Sequence, residues 1–226
     1  MCSRYSLTSP PEAVRAYFGA AGEAAFPPRY NIAPTQPVLI VRESPPTGRH
    51  LVLVRWGLIP SWVKDPASFS TLINARSESA VEKPSFRGAM RHRRCLVPTD
   101  GFYEWTGAAG SKTPHLIRRR GGGLFAMAGL WEHWQGADGS EIETMAILTV
   151  GANTTMTTIH DRMPAILLPD TFDRWLDCRS GTAEGAVELL RPAPESLLEV
   201  IELSRKLNNP RNEGPGVQEP ARTKLL

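Results

Sequence analysis

Val38-Leu39-Ile40-Val41-Arg42, then Ser44-Pro45-Pro46-Thr47-Gly48, then His50-Leu51-Val52-Leu53-Val54-Arg55-Trp56: two aliphatic and β-branched runs around a proline- and glycine-bearing turn predict an antiparallel hairpin with a longer loop. The same composition recurs down the chain. Strands are expected at residues 95–98, 102–105, 115–118, 124–130, 144–150 and 165–168. So many short strands imply a curved sheet or barrel. With 19 glycines and 20 prolines among 226 residues, short elements and turns are favoured over a helical bundle.

Helical patterns are fewer. Ser9-Pro10-Pro11-Glu12 reads as a capped start to a helix over 13–18 that ends at Gly19, with a capping hydroxyl ahead of first-turn prolines. Further helices are expected from a basic stretch at 83–94, at 171–177, and at 183–190 behind a Thr182 cap, all as satellites of the sheet. Pro27-Pro28 and Tyr30-Asn31-Ile32-Ala33-Pro34-Thr35 predict an ordered loop, because proline fixes φ and discourages helix. No repeat is visible, and no linker appears before a Pro/Gly-rich tail after Asn208. The expected organisation is one α+β domain over residues 1–208, with a barrel-like, mostly antiparallel sheet core and peripheral helices, followed by a tail over 209–226.

Hydrophobic residues make up 41% of the chain, enough for a sizeable core, which rules out a wholly disordered protein. The net charge of +3 names no partner. Of the 26 basic residues 21 are arginine, whose planar fork suits phosphates and stacked bases, although a GC-rich genome produces the same bias. No apolar run reaches the roughly 18 residues of a membrane span, and no signal-peptide pattern opens the chain, so a cytoplasmic protein is expected. Cys2, Cys95 and Cys178 form an odd set without paired spacings and should be reduced thiols.

Chemistry concentrates at a few positions. Loss of Met1 would leave Cys2 with an α-amine and a thiol on one residue, a 1,2-aminothiol. Such a terminus condenses with an aldehyde: the amine forms an imine, then sulfur attacks the imine carbon and closes a thiazolidine. A small residue after a start codon is the plainer explanation of Cys2. Glu104 stands alone in Asp100-Gly101-Phe102-Tyr103-Glu104-Trp105. Strand alternation puts it on the Phe102 face, away from Tyr103 and Trp105. A carboxylate on an apolar face is disposed to move protons near neutrality, while a solvent-facing strand end or an arginine partner would account for it equally well.

His160 lies in Ile159-His160-Asp161-Arg162-Met163-Pro164, where imidazole could transfer protons and Arg162 bind phosphate; a lone loop histidine is more often structural. Asn74 and Arg76 project from one strand-like piece towards a common cleft, an amide for a sugar or carbonyl oxygen and a guanidinium for a phosphate. Trp56 and Trp62 bracket a turn; core packing suits Trp56, and Trp62 could stack on a base. Arg87, Arg91, Arg93 and Arg94 could track a nucleic-acid backbone or simply form a solvated helix face. No metal is expected, since C-x-x-C and H-x-x-x-H are absent, and Gly121-Gly122-Gly123 lacks the lysine and helix of a phosphate loop. No cofactor is expected either.

Taken together the sequence resembles the SOS response-associated peptidase (SRAP) family. The likeness rests on Met1-Cys2-Ser3-Arg4-Tyr5, Tyr30-Asn31-Ile32-Ala33-Pro34-Thr35, Trp56-Gly57-Leu58-Ile59-Pro60-Ser61-Trp62, Ile73-Asn74-Ala75-Arg76, Arg94-Cys95-Leu96-Val97-Pro98, Asp100-Gly101-Phe102-Tyr103-Glu104-Trp105, Ala128-Gly129-Leu130-Trp131-Glu132 and Ile159-His160-Asp161-Arg162-Met163-Pro164. That resemblance implies a monomeric sensor that shields abasic sites in single-stranded DNA. It implies Cys2 as the nucleophile of a covalent DNA adduct once Met1 is removed, with Asn74, Glu104 and His160 as catalytic neighbours. It places Arg4, Arg76 and Arg162 at phosphate-contact positions and Trp62 near a stacking loop. Ser3 departs from the usual glycine of relatives, and its Cβ is expected to crowd the approach to the lesion. The family name also implies a peptidase. The alternatives are an N-terminal-nucleophile amidohydrolase acting through Cys2 and a non-catalytic reader of single strands.

Overall fold

The apolar run at 38–41 pairs antiparallel with 51–54, Val38 opposite Val54 and Val41 opposite Leu51. These residues lie in β3 (Pro37–Glu43) and β4 (Arg49–Trp56) of a computed structural model that describes residues 2–23, 26–108 and 110–221. The other strands are β1 (Tyr5–Leu7), β2 (Arg29–Ile32), β5 (Asn74–Arg76), β6 (Arg94–Thr99), β7 (Gly101–Thr106), β8 (Thr113–Arg119), β9 (Phe125–Gln135), β10 (Glu141–Gly151), β11 (Arg162–Pro164), β12 (Ile166–Leu167) and β13 (Leu198–Glu202). The helices are α1 (Pro11–Phe18), α2 (Arg87–His92), α3 (Thr154–Thr157), α4 (Phe172–Leu176) and α5 (Ala183–Val187).

Strand pairing closes a ring. β3 pairs β4, β4 pairs β10, β10 pairs β9, β9 pairs β6 and β6 returns to β3, which makes a five-stranded barrel. Among the strand pairs of the described residues the β10 pairings with β4 and β5 are parallel and the others antiparallel. A second, antiparallel sheet has the order β13-β8-β7-β1-β2. The chain is therefore a single α+β domain with a mostly antiparallel, barrel-containing core and few helices, as its sequence predicts. Gly129 shows how tightly the barrel closes: a Cβ there would lie 2.8 Å from both Cys95 Sγ and Val97 Cγ2.

Several local expectations need correction. Ser9 does not cap α1; Pro10 occupies that position without a side-chain bond, and Ser9 Oγ donates to Asp100 Oδ1 at 2.6 Å instead. Gly19 does end the helix, in the left-handed conformation. The basic stretch at 83–94 is helical only over Arg87–His92: a turn with Phe86 N donating to Lys83 O at 2.9 Å precedes it, and Arg94 already belongs to β6. The segment at 30–35 is part strand, since β2 pairs with β1 before Pro34 stops it. The strand expected at 165–168 is strand only at Ile166–Leu167, on β9; the chain crosses there at Ala165 from β11 (Arg162–Pro164), which pairs with β10. Helix α5 stops at Val187 but starts as expected, with Thr182 Oγ1 accepting from Gly185 N at 3.0 Å.

The segment after Asn208 lies on the second sheet as far as it is described. Val217 is buried, Gln218 Nε2 donates to Tyr103 Oη at 2.7 Å, and the Glu213 carboxylate accepts from Tyr30 N at 2.9 Å. No helix among the described residues is long and apolar enough to cross a membrane.

Candidate functional site

Residues 2–4 run on from β1 beside β7, where Tyr5 stands opposite Phe102 and Tyr103 N donates to Arg4 O at 2.9 Å. Cys2 is fully buried. Its thiol points at the Arg4 carbonyl oxygen, 3.7 Å away. Met1 lies outside the described residues.

Asn74 opens β5, which runs parallel to β10, and its side-chain Nδ2 donates to the Cys2 carbonyl oxygen at 2.8 Å. The same amide's Oδ1 is buried and accepts no hydrogen bond from the described residues. A donor brought against Cys2 would therefore meet an acceptor already in place. Glu104 is only 4% exposed, on the Phe102 side of β7, while Tyr103 packs into a separate cluster with Leu116, Leu203, Leu207 and Val217. Burial pushes the Cys2 thiol well above its ordinary range, and the Glu104 charge adds to the push. The two side chains thus share one low-dielectric space.

His160 follows α3, and its Nδ1 has two neighbours: Asp161 Oδ1 at 2.8 Å and the Arg162 backbone N at 3.0 Å. The Arg162 amide thus donates to the ring nitrogen that also faces the Asp161 carboxylate. Thr149 of β10 joins this segment to the Asn74 strand: it stands opposite Arg76 on one edge and Pro164 on the other.

Arg76 is exposed, and its guanidinium has no partner among the described residues. Arg162 is engaged. Its two terminal nitrogens reach the Glu78 carboxylate at 2.6 and 2.9 Å, and Nη2 also donates to Thr149 O at 2.6 Å. That fork holds the Glu78 carboxyl below its usual range. Arg4 is engaged too, donating to Asn31 Oδ1 at 2.7 Å with its guanidinium 5.6 Å from the Trp105 ring centroid. Trp62 is 57% exposed and meets Phe69 edge-on, whereas Trp56 is buried and donates to Ile73 O at 2.9 Å.

The basic cluster of the sequence divides by environment. Arg87 and Arg91 are exposed and Arg93 pairs with Glu132 at 2.8 Å. Arg94 is no surface contact: it is 1% exposed and donates to the carbonyls of Trp175 and Met90. Two partners escaped the sequence reading. Asn31, which anchors Arg4, and Glu78, which occupies Arg162, carry no pattern that distinguishes them from ordinary loop polar residues.

A family model described as "SOS response associated peptidase (SRAP)" matches residues 1–210. The chain is 36% identical over 219 residues to the "Abasic site processing protein YoqW" of Bacillus subtilis (strain 168), covering 95% of this chain and 97% of that one. It is 35% identical over 225 residues to the "Abasic site processing protein HMCES" of Gallus gallus, covering 85% of this chain and 66% of that one. Among solved structures, a crystal structure of a protein from Bacteroides thetaiotaomicron aligns with a TM-score of 0.87 at 26% identity, covering 97% of this chain and 100% of the other.

Proposed function

The chain belongs to the SRAP family, and from that premise we propose that it processes abasic sites in single-stranded DNA by covalent capture through Cys2, freed as the first residue by loss of Met1. The observation that carries this reading is the Asn74 amide holding the Cys2 backbone while the Glu104 charge bears on the Cys2 thiol. A nucleophile that merely followed a start codon would need neither.

The chemistry follows from the lesion. An abasic deoxyribose rests mainly as a closed hemiacetal and must open to an aldehyde, which requires a proton to leave the hydroxyl and another to reach the ring oxygen. Glu104 and His160 perform that exchange. The Cys2 amine condenses with the aldehyde and expels one water. The S–H bond then adds across the C=N bond, sulfur to carbon and hydrogen to nitrogen, giving a thiazolidine. Asn74 Oδ1 accepts from the opened sugar or from the new ring nitrogen. An imine left alone would withdraw electrons and promote β-elimination of the strand; the thiazolidine removes that sink.

Arg76 and Arg162 take phosphates on either side of β10, with Arg4 closer to Cys2 and Trp62 as a stacking surface. The protein acts as a monomer on single strands in the cytoplasm. An amidohydrolase would need a ready thiolate, and burial at Cys2 opposes one; peptide cleavage is therefore secondary to capture. The test is incubation with a single-stranded oligonucleotide carrying one abasic site, followed by a denaturing gel. A shifted band lost in Cys2→Ala supports the proposal, and a band that survives in Cys2→Ala refutes it.

A further inference from the structure

A row of three ionisable side chains crosses the second sheet. Glu104 of β7 stands directly opposite His115 of β8, and His115 stands directly opposite Glu202 of β13. Both registers hold beyond the row: Trp105 pairs with Pro114, Thr106 pairs with Thr113, and Leu203 N donates to Pro114 O at 2.9 Å. Residues directly opposed in an antiparallel ladder project from one face, with Cβ atoms about 4.5–5.5 Å apart. The next row but one identifies that face, since Phe102 and Ile117 are buried in the main core and Val200 packs against it. Exposure rises along the row. Glu104 is 4% exposed, His115 is half-buried and Glu202 is exposed. His115 Nδ1 is itself buried and has no hydrogen-bond partner among the described residues, which a structural histidine would not leave open.

Capture through Cys2 leaves a proton to dispose of. A terminal α-amine, with an ordinary pKa of about 7.7–8.0, is mainly ammonium at neutral pH. Ammonium and aldehyde give an imine, one water and one proton; the S–H bond then adds across the imine to give a neutral thiazolidine, so that proton remains. It is released where Cys2 is fully buried and Glu104 nearly so. We propose that His115 is a positioning residue for Glu104, facing its carboxyl across the strand pair and carrying its proton on to Glu202 and solvent. One imidazole nitrogen takes the proton from the Glu104 carboxyl while the other gives one to the Glu202 carboxylate or to water, and the ring then returns to its first tautomer. Glu104 is left as the carboxylate, ready for the next exchange. The inference rests on the proposed capture at Cys2 and deepens it by naming the route by which its proton leaves.

The experiment times capture in single turnovers, with protein in excess over an authentic abasic single strand, and measures affinity separately with a tetrahydrofuran analogue that has no aldehyde. His115→Gln, which stays polar but cannot relay a proton, and His115→Ala should each slow capture by about tenfold while Kd for the analogue stays within about twofold of wild type. Imidazole added to His115→Ala should restore the rate in proportion to its concentration and leave the wild-type rate unchanged, a rescue that a purely structural ring would not show. Because His115 acts through Glu104, adding His115→Ala to Glu104→Gln should slow capture no further. Rates of both His115 variants equal to wild type would overturn the relay. So would an equal slowing on the Glu104→Gln background, or a slowing that imidazole relieves at no concentration. If wild type forms no covalent band, capture at Cys2 fails and the relay falls with it; a wild-type band beside unslowed His115 variants refutes the relay alone.

Discussion

The Asn74 side-chain amide donates a 2.8 Å hydrogen bond to the Cys2 backbone carbonyl, joining positions 72 residues apart in sequence. Asn74 thereby fixes the N-terminal segment from the edge of the barrel, and its Oδ1 is left as a buried acceptor without a partner among the described residues. Asn74→Ala removes both functions. Covalent capture should slow by about tenfold or more, the equivalent of roughly 1.4 kcal/mol for one lost hydrogen bond, while affinity for an unreactive abasic analogue stays within about twofold. Single-turnover gels and anisotropy make the comparison; equal capture rates would remove Asn74 from the chemistry.

Arg162 presents its fork to Glu78, so a phosphate must displace that carboxylate. Exposed pairs of this kind are worth at most about 1 kcal/mol. Glu78→Gln should release the guanidinium and lower Kd for single-stranded DNA by about threefold at low salt. A rise in Kd would show that Glu78 positions Arg162 for DNA rather than competing with it.

Arg94 is a structural residue despite its place in a basic run. It donates to the Trp175 and Met90 carbonyls and lies with its guanidinium 5.7 Å from the Trp175 ring centroid. Arg94→Met leaves those buried acceptors unpaired and should cost about 3 kcal/mol of stability. The urea midpoint should fall with an unchanged m-value, and DNA affinity of the folded fraction should not change. An unaltered midpoint would contradict the assignment.

Burial pushes up the thiols of Cys2 and Cys95 and the phenol of Tyr5, and holds the Tyr103 phenol up at about 12. Groups whose folded pKa is raised favour the folded state fully below their unfolded pKa, about 8.5 for thiols and 10 for tyrosine, and that contribution is lost as pH rises past it. The urea midpoint should therefore decline between pH 8 and pH 10.5, and Cys95→Ala should decline less steeply from its own lower starting point. A midpoint that is flat or rising over that interval would sink the prediction.

Much of the architecture was legible because the strands that form the barrel are long enough to carry their own signal. The pairing of Val38–Val41 with Leu51–Val54 is one example. The three-residue strands β1, β5 and β11 have no periodicity of their own and exist because neighbours offer open edges. Ser9 was misread because a tertiary partner, Asp100, outcompetes the local helix end for its hydroxyl. At the site, alternation correctly separated Glu104 from Tyr103. Composition did not reveal that Arg94 is buried, or that Arg4 and Arg162 are already occupied by Asn31 and Glu78. Charge patterns register that an arginine is present, and only the fold determines whether its fork is free.

Capture requires nitrogen and sulfur of one residue to close on a single sugar carbon. Intact mass spectrometry of the denatured product tests this directly. Incubation with an authentic abasic strand should give a species equal to the chain without Met1, plus the strand, minus one water, absent with Cys2→Ala and with the aldehyde-free analogue. The same mass from Cys2→Ala, corrected for the substitution, or an unmodified chain after full exposure to the lesion, would contradict it.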